Sequence, residues 1–160
     1  MPGNEFYTVR GYELLKQEKK LLTPSMEDYL EMIYRYTLEE GSIRINTLAD
    51  LLNVQAPSAS KTVKRLYELG LVEYKGYGVV GLTEAGLDIG KFLFQRHNII
   101  YEFLGHLGVE ENILMDTEMI EHNISMETLR LIEIFNEFCR RYPAVKEEFV
   151  EFCKERQCLS

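Results

Sequence analysis

The stretch "INTLADLLNVQAPSASKTVKRLYELGLVEYKGYGVVGLT", Ile45 to Thr83, limits the possible folds more than any other part of the chain. Asn46 is placed to cap a short helix with Leu48, Ala49, Leu51 and Leu52 on its inward face. After a turn at 54–56, Pro57 suits the start of a second helix. In that helix Val63, Leu66 and Leu69 repeat at helical spacing, and Gly70 supplies a stop. Two short helices joined by a tight turn make a helix-turn-helix. "LVEY", a turn at "KGYG" and "VVGL" then read as a β-hairpin, and the whole is a winged helix.

The start of the second helix carries small polar residues followed by bases: Ser58, Ala59, Ser60, Lys61 and Thr62, then Lys64 and Arg65. Small side chains let a backbone approach base edges, and the cations neutralise phosphates. Lys75 and Tyr77 in the wing are placed to meet the flanking DNA backbone. A winged helix used for protein contacts would instead favour exposed apolar residues at these positions. From Ser42 to Leu82 five bases oppose three acids, in a chain whose formal charge is −8. A mildly basic module therefore sits in an acidic body, which excludes nonspecific nucleic-acid binding by the whole surface.

At 160 residues, with 46% hydrophobic and 28% charged content, the chain can bury a core in one or two small domains. No apolar run approaches the roughly 18 residues of a membrane span. The first 20 residues lack the pattern of a signal peptide, so a cytoplasmic protein is expected. Cys139, Cys153 and Cys158 form no C-x-x-C pair and read as reduced thiols. Residues 5–21 look helical but weakly amphipathic. "TPSMEDYLEMIYRYTLEE" opens a firmer helix, capped by Thr23 with Pro24 next, or by Ser25. Thr83 is expected to cap a long helix to about Leu107, closed by Gly108. A last helix starts at Ser125 and restarts after Pro143; its stripe of Leu129, Ile132, Phe135 and Phe138 suits a core face shared with a subunit interface.

Three of these helices also carry metal-capable side chains. "TEMIEHNIS" places Glu118, Glu121 and His122 within one turn and a half, "FQRHNII" carries His97, and Asp28 and Glu31 lie three apart on the helix after Thr23. Singly, these read as a solvated acidic turn, a core histidine and a polar helix face. Together, four carboxylates and two imidazoles suit one or two hard or borderline divalent cations. The absence of thiolate from the set favours Mn(II) over zinc or copper.

With "TPSMEDYLEMIY", "APSASKTVKRL", "RHNIIYEFLGHLGV" and "EMIEHNIS", the chain resembles the diphtheria toxin repressor family of metal-dependent regulators, and within it the manganese-responsive branch. The resemblance covers about Thr23 to Tyr142. It implies a mainly α protein, with an N-terminal extension at 1–22, a winged helix-turn-helix DNA-binding domain at 23–82 and a helical metal-binding and dimerisation domain at 83–160. It further implies that Asp28, Glu31, His97, Glu118, Glu121 and His122 hold two Mn(II) ions per subunit, with Fe(II), Zn(II) or other divalent ions as substitutes in vitro. In the iron-responding branch the positions of Asp28 and Glu118 are typically Met and Cys. The partners implied are a second copy of the chain and a palindromic double-stranded DNA operator, with no membrane, and the function implied is repression of manganese uptake genes. The SH3-like third domain of iron-responding members is not expected. The alternatives are a winged-helix regulator answering to an organic ligand and a binuclear metallohydrolase, which would leave the winged helix unexplained.

Overall fold

The structure, a computed structural model, describes residues 11, 13, 14, 16 and 21–157. The helix expected over 5–21 lies mostly outside the described residues; those described within it, 11, 13, 14 and 16, are helical. The chain forms two compact units, Met1–Gln95 and Arg96–Ser160.

In the first unit, helix α1 (Pro24–Glu40) starts where Thr23 is extended and its Oγ1 accepts a hydrogen bond from the Met26 amide at 3.3 Å. Thr23, not Ser25, is the cap, with Pro24 in the first turn, where no intrahelical donor is lost. Met26, Tyr29, Leu30, Ile33 and Tyr34 are buried along one stripe. A short strand, β1 (Ile43–Arg44), follows and leads directly into α2 (Ile45–Leu51). Helix α3 (Ala56–Glu68) ends in a left-handed Gly70, with the Leu71 amide bonded back to the Leu66 carbonyl at 3.0 Å. Strands β2 (Val72–Gly76) and β3 (Val79–Leu82) form the hairpin, and β1 joins it in an antiparallel sheet of order β1-β3-β2. Ile43 stands opposite Val80, and both are fully buried.

Two expectations for this unit change. Asn46 lies inside α2 and does not cap it; Arg44 precedes the helix without a side-chain cap. The sheet supplies the reason: the Ile45 amide bonds to the Gly78 carbonyl at 2.9 Å, so strand pairing fixes where the helix begins. Leu51 is exposed and only Leu48 and Ala49 are buried, because a helix of seven residues presents little more than one turn to the core.

Helix α4 (Glu84–His106) begins after Thr83, whose Oγ1 accepts from the Gly86 amide at 3.1 Å and donates to the Gly70 carbonyl at 2.7 Å. Its first turns lie against the winged helix so closely that side chains are excluded. A Cβ at Gly86 would stand 1.8 Å from the Leu71 carbonyl oxygen, and one at Gly90 would stand 2.9 Å from Tyr34 Cβ.

The same helix continues into the second unit, where it ends before a left-handed Gly108. There it is joined by α5 (Ile113–Glu121), α6 (Met126–Arg141), whose cap Ser125 accepts from the Thr128 amide at 3.2 Å, and α7 (Pro143–Gln157). The buried Asn136 donates to the Ile99 carbonyl at 2.8 Å, and Arg140 pairs with Glu102, so α6 is held along α4. On the apolar stripe of α6, Leu129 is buried, Ile132 half-buried, and Phe135 and Phe138 largely exposed. Leu131, Ile134, Phe149 and Phe152 are exposed as well. Among the described residues no helix is long and apolar enough to cross a membrane.

Because the obstacle at Gly86 is backbone, Gly86→Ala is expected to destabilise the protein by about 1–3 kcal/mol and to lower the melting temperature by roughly 5 °C. Thermal unfolding followed by circular dichroism measures this, and an unchanged midpoint contradicts the contact.

Candidate metal centre and DNA-binding surface

Ser58, Ser60, Lys61, Lys64 and Arg65 are exposed on α3, and Thr62 is half-buried. Ala59 is a correction: expected to face the groove, it is fully buried. Its spacing to Val63 and Leu66 places all three on the core side, so the outward face is a serine pair followed by three cations. In the wing, Gly76, Tyr77 and Gly78 all have positive φ, and the Tyr77 side chain is 99% exposed. Lys75 is partly engaged, since its amine lies 3.7 Å from Glu73 and its stem crosses the bare face of Gly81. Arg44 adds a cation that sequence reading counted only as charge. Its guanidinium reaches the Tyr77 carbonyl at 3.4 Å, a contact created by the pairing of β1 with β3.

The second unit gathers three of the expected ligands. His97 on α4 has Nδ1 3.0 Å from Oε2 of Glu121, the last residue of α5, and His122 follows with Nε2 3.7 Å from Glu121 Oε1. Thr117 and Glu121, four apart, form the inward face of α5 and are essentially inaccessible. Glu118 is on the exposed side of the same helix and does not join the cluster. Arg96, next to His97 and buried, reaches His122 Nδ1 at 3.4 Å.

Glu121 is the telling member. A carboxylate that is 1% exposed needs a compensating charge. Its position at the C-terminal end of a helix sets it against the negative end of the helix dipole, which favours a cation. Donors of an ion with bonds of about 2.1 Å stand about 3 Å apart at adjacent corners of an octahedron, and the His97–Glu121 pair has that spacing. The donors are oxygen and nitrogen only, as a hard or borderline divalent ion requires. The residues therefore fit such an ion.

In the first unit, Asp28 and Glu31 lie one turn apart on α1. Glu31 is buried, and its carboxylate accepts from Arg35, whose guanidinium rests 5.3 Å from the Phe94 ring.

Residues 21–80 match the family model described as iron dependent repressor, N-terminal DNA binding domain, and residues 83–149 match iron dependent repressor, metal binding and dimerisation domain. The chain is 38% identical over 130 residues to the HTH-type transcriptional regulator MntR of Geobacillus kaustophilus, spanning 78% of this chain and 92% of that one. The chain belongs to the diphtheria toxin repressor family, in its MntR branch. The MntR of Bacillus subtilis is also 38% identical, over 122 residues that span 73% of this chain and 86% of that one. Among solved structures, the manganese regulator SloR aligns with a TM-score of 0.64 at 29% identity, covering 73% of this chain and 55% of that one. IdeR of T. acidophilum, with a TM-score of 0.61 at 23% identity over 73% of this chain and 53% of that one, shares the fold. The chain thus spans about half the length of these two structures. Membership makes it a DNA-binding transcriptional regulator and sets the metallohydrolase alternative aside.

Glu121→Gln keeps the size of the side chain and removes its charge. It is expected to weaken divalent-ion binding by at least about 10–100-fold, the loss that even an outer-shell partner brings. Equilibrium titration against a chelating indicator reads the change, and wild-type affinity contradicts the central place given to this carboxylate.

Proposed function

We propose that the protein is a Mn(II)-responsive repressor of manganese uptake genes that binds a palindromic operator as a homodimer. The observation that carries this reading is the buried Glu121 carboxylate with an imidazole on either side and no thiol, in the domain that the family model describes as metal-binding. The names of the relatives and of SloR support manganese as the ion.

On this reading His97, Glu121 and His122 are completed by Asp28 and Glu31 from α1 and by Glu118 after a turn of its side chain, to hold two ions per subunit. Fe(II) and Zn(II) compete for the same donors, since affinity alone ranks Mn(II) below them. When bound, the ions supply the positive charge that lets four carboxylates share one place. The residues do the rest: Asp28 and Glu31 belong to the helix that supports the winged helix, while Glu121 and His122 belong to α5, so ligation by both groups fixes the reading head. The protein then presents α3 to the major groove, with Lys61, Lys64 and Arg65 on phosphates and Ser58, Ser60 and Thr62 near base edges. Lys75, Tyr77 and Arg44 meet the flanking backbone.

The occupant proposed for the exposed apolar residues of α6 is a second copy of the chain. Phe135 and Phe138, with Leu131 and Ile134, form the contact surface, Ile132 lies at its margin, and Leu129 supports it from within the chain. A patch of this kind on a soluble protein marks an association surface.

Addition of Mn(II) is expected to tighten operator binding by about 5–150-fold, the usual range of coupling between sites; equal binding with and without Mn(II) overturns the proposal. Lys61→Ala is expected to weaken operator binding and to lower the slope of log K against log[salt] by about one, leaving Mn(II) affinity unchanged. Sedimentation at micromolar concentration is expected to show a dimer without metal, and a monomer there contradicts the apolar interface.

A further inference from the structure

Gly11 lies ahead of the residues that match the family model, and it belongs to neither the DNA-binding nor the metal-ligand positions. It is helical and buried. Proline apart, glycine is the least favourable residue inside a helix, so a buried helical glycine calls for a reason, and its surroundings supply one. A Cβ at Gly11 would stand 2.6 Å from the Asp88 carbonyl oxygen and 2.6 Å from Phe92 Cβ, both on α4. Neither atom is the far end of a flexible side chain. The backbone at Gly11 therefore lies directly on α4, at a distance that only glycine allows.

The side of α4 that it touches matters. At about 100° per residue, Asp88 and Phe92 lie roughly 200° round the helix from Gly86 and Gly90, the pair that seats α4 on Leu71 and Tyr34. Helix α4 is thus gripped on two opposite faces, each time where a side chain is missing. Phe92 shows the result: it stands on the face turned away from Leu71 and Tyr34, yet it is 2% exposed. Leu22, between Gly11 and the start of α1, is buried too.

What α4 is held against is the junction between the recognition helix and the wing. Gly86 meets the Leu71 carbonyl, Thr83 Oγ1 donates to the Gly70 carbonyl, and the Thr83 amide bonds to the Leu71 carbonyl at 3.2 Å. Gly70 and Leu71 connect α3 to β2. Support on the far face of α4 is therefore support for the placing of α3 and the wing, the two parts that meet DNA on the reading proposed above.

We infer that the segment around Gly11 is a clamp: it holds the first turns of α4 against the α3–β2 junction and so steadies the DNA-reading geometry of this chain. The link to DNA reading rests on the proposed repressor function; the clamp itself does not.

Substitution of Gly11 in the full-length chain tests both parts. In a helix that packs on nothing, Gly11→Ala stabilises, since alanine is the better helix former. In the clamp the direction reverses: the melting temperature is expected to fall by roughly 5 °C, and further for Gly11→Leu. Hydrogen exchange of amides 84–95 is expected to quicken at least about tenfold, because α4 loses one of its two seats. An unchanged or raised melting temperature for Gly11→Ala overturns the clamp. The DNA probe is a palindromic duplex selected from random-sequence DNA by the wild type with Mn(II). Gly11→Leu is expected to bind it about tenfold more weakly under the same conditions, and Gly11→Ala carries this measurement if Gly11→Leu does not fold. Variants that melt lower yet bind the duplex as the wild type does overturn the link to DNA reading. Wild type that selects no duplex removes the repressor reading instead, and the direction of the Gly11→Ala shift still decides the clamp.

Discussion

A carboxylate buried at the wrong end of a helix organises the functional chemistry of this protein. Glu121 closes α5, where the helix dipole is negative, and water does not reach it. Such a group is tolerable only beside positive charge. The chain sets two imidazoles beside it that can donate to the carboxylate or ligate a cation, and the Arg96 guanidinium lies against the His122 ring.

The buried Glu31 carboxylate pairs with Arg35 one turn along the same helix. A carboxylate has two oxygens and several lone pairs, so Glu31 can keep its arginine while serving another cation.

Unit 1 depends on close approach. Gly86 and Gly90 let α4 lie on the backbone of Leu71 and on Tyr34, and Thr83 ties the helix start to the end of α3 through the Gly70 carbonyl. His97 is on the same continuous helix, eleven residues beyond Gly86. One element therefore carries both the contacts that seat it on the winged helix and an imidazole of the candidate metal cluster. Unit 2 has the opposite character, with few fully buried apolar residues and several exposed aromatic ones among the described residues.

Much of this was legible in the sequence, because it depends on local rules. Helical spacing of apolar residues, Thr23 and Ser125 as caps, Gly70 and Gly108 as stops and the glycine-bounded wing turn defined the helix-turn-helix, the hairpin and the helices after it. The donor set of carboxylates and imidazoles without sulfur was equally plain. Tertiary structure decided what depends on partners distant in the chain. Pairing of β1 with β3 set the start of α2 and brought Arg44 to the wing; packing of α3 turned Ala59 inward; the face of α5 that meets α4 buried Glu121 and left Glu118 in solvent. The place of Arg96 was likewise invisible in the sequence, because an arginine beside a histidine carries no periodic signal, and only the packing of α5 against α4 puts its guanidinium on the His122 ring.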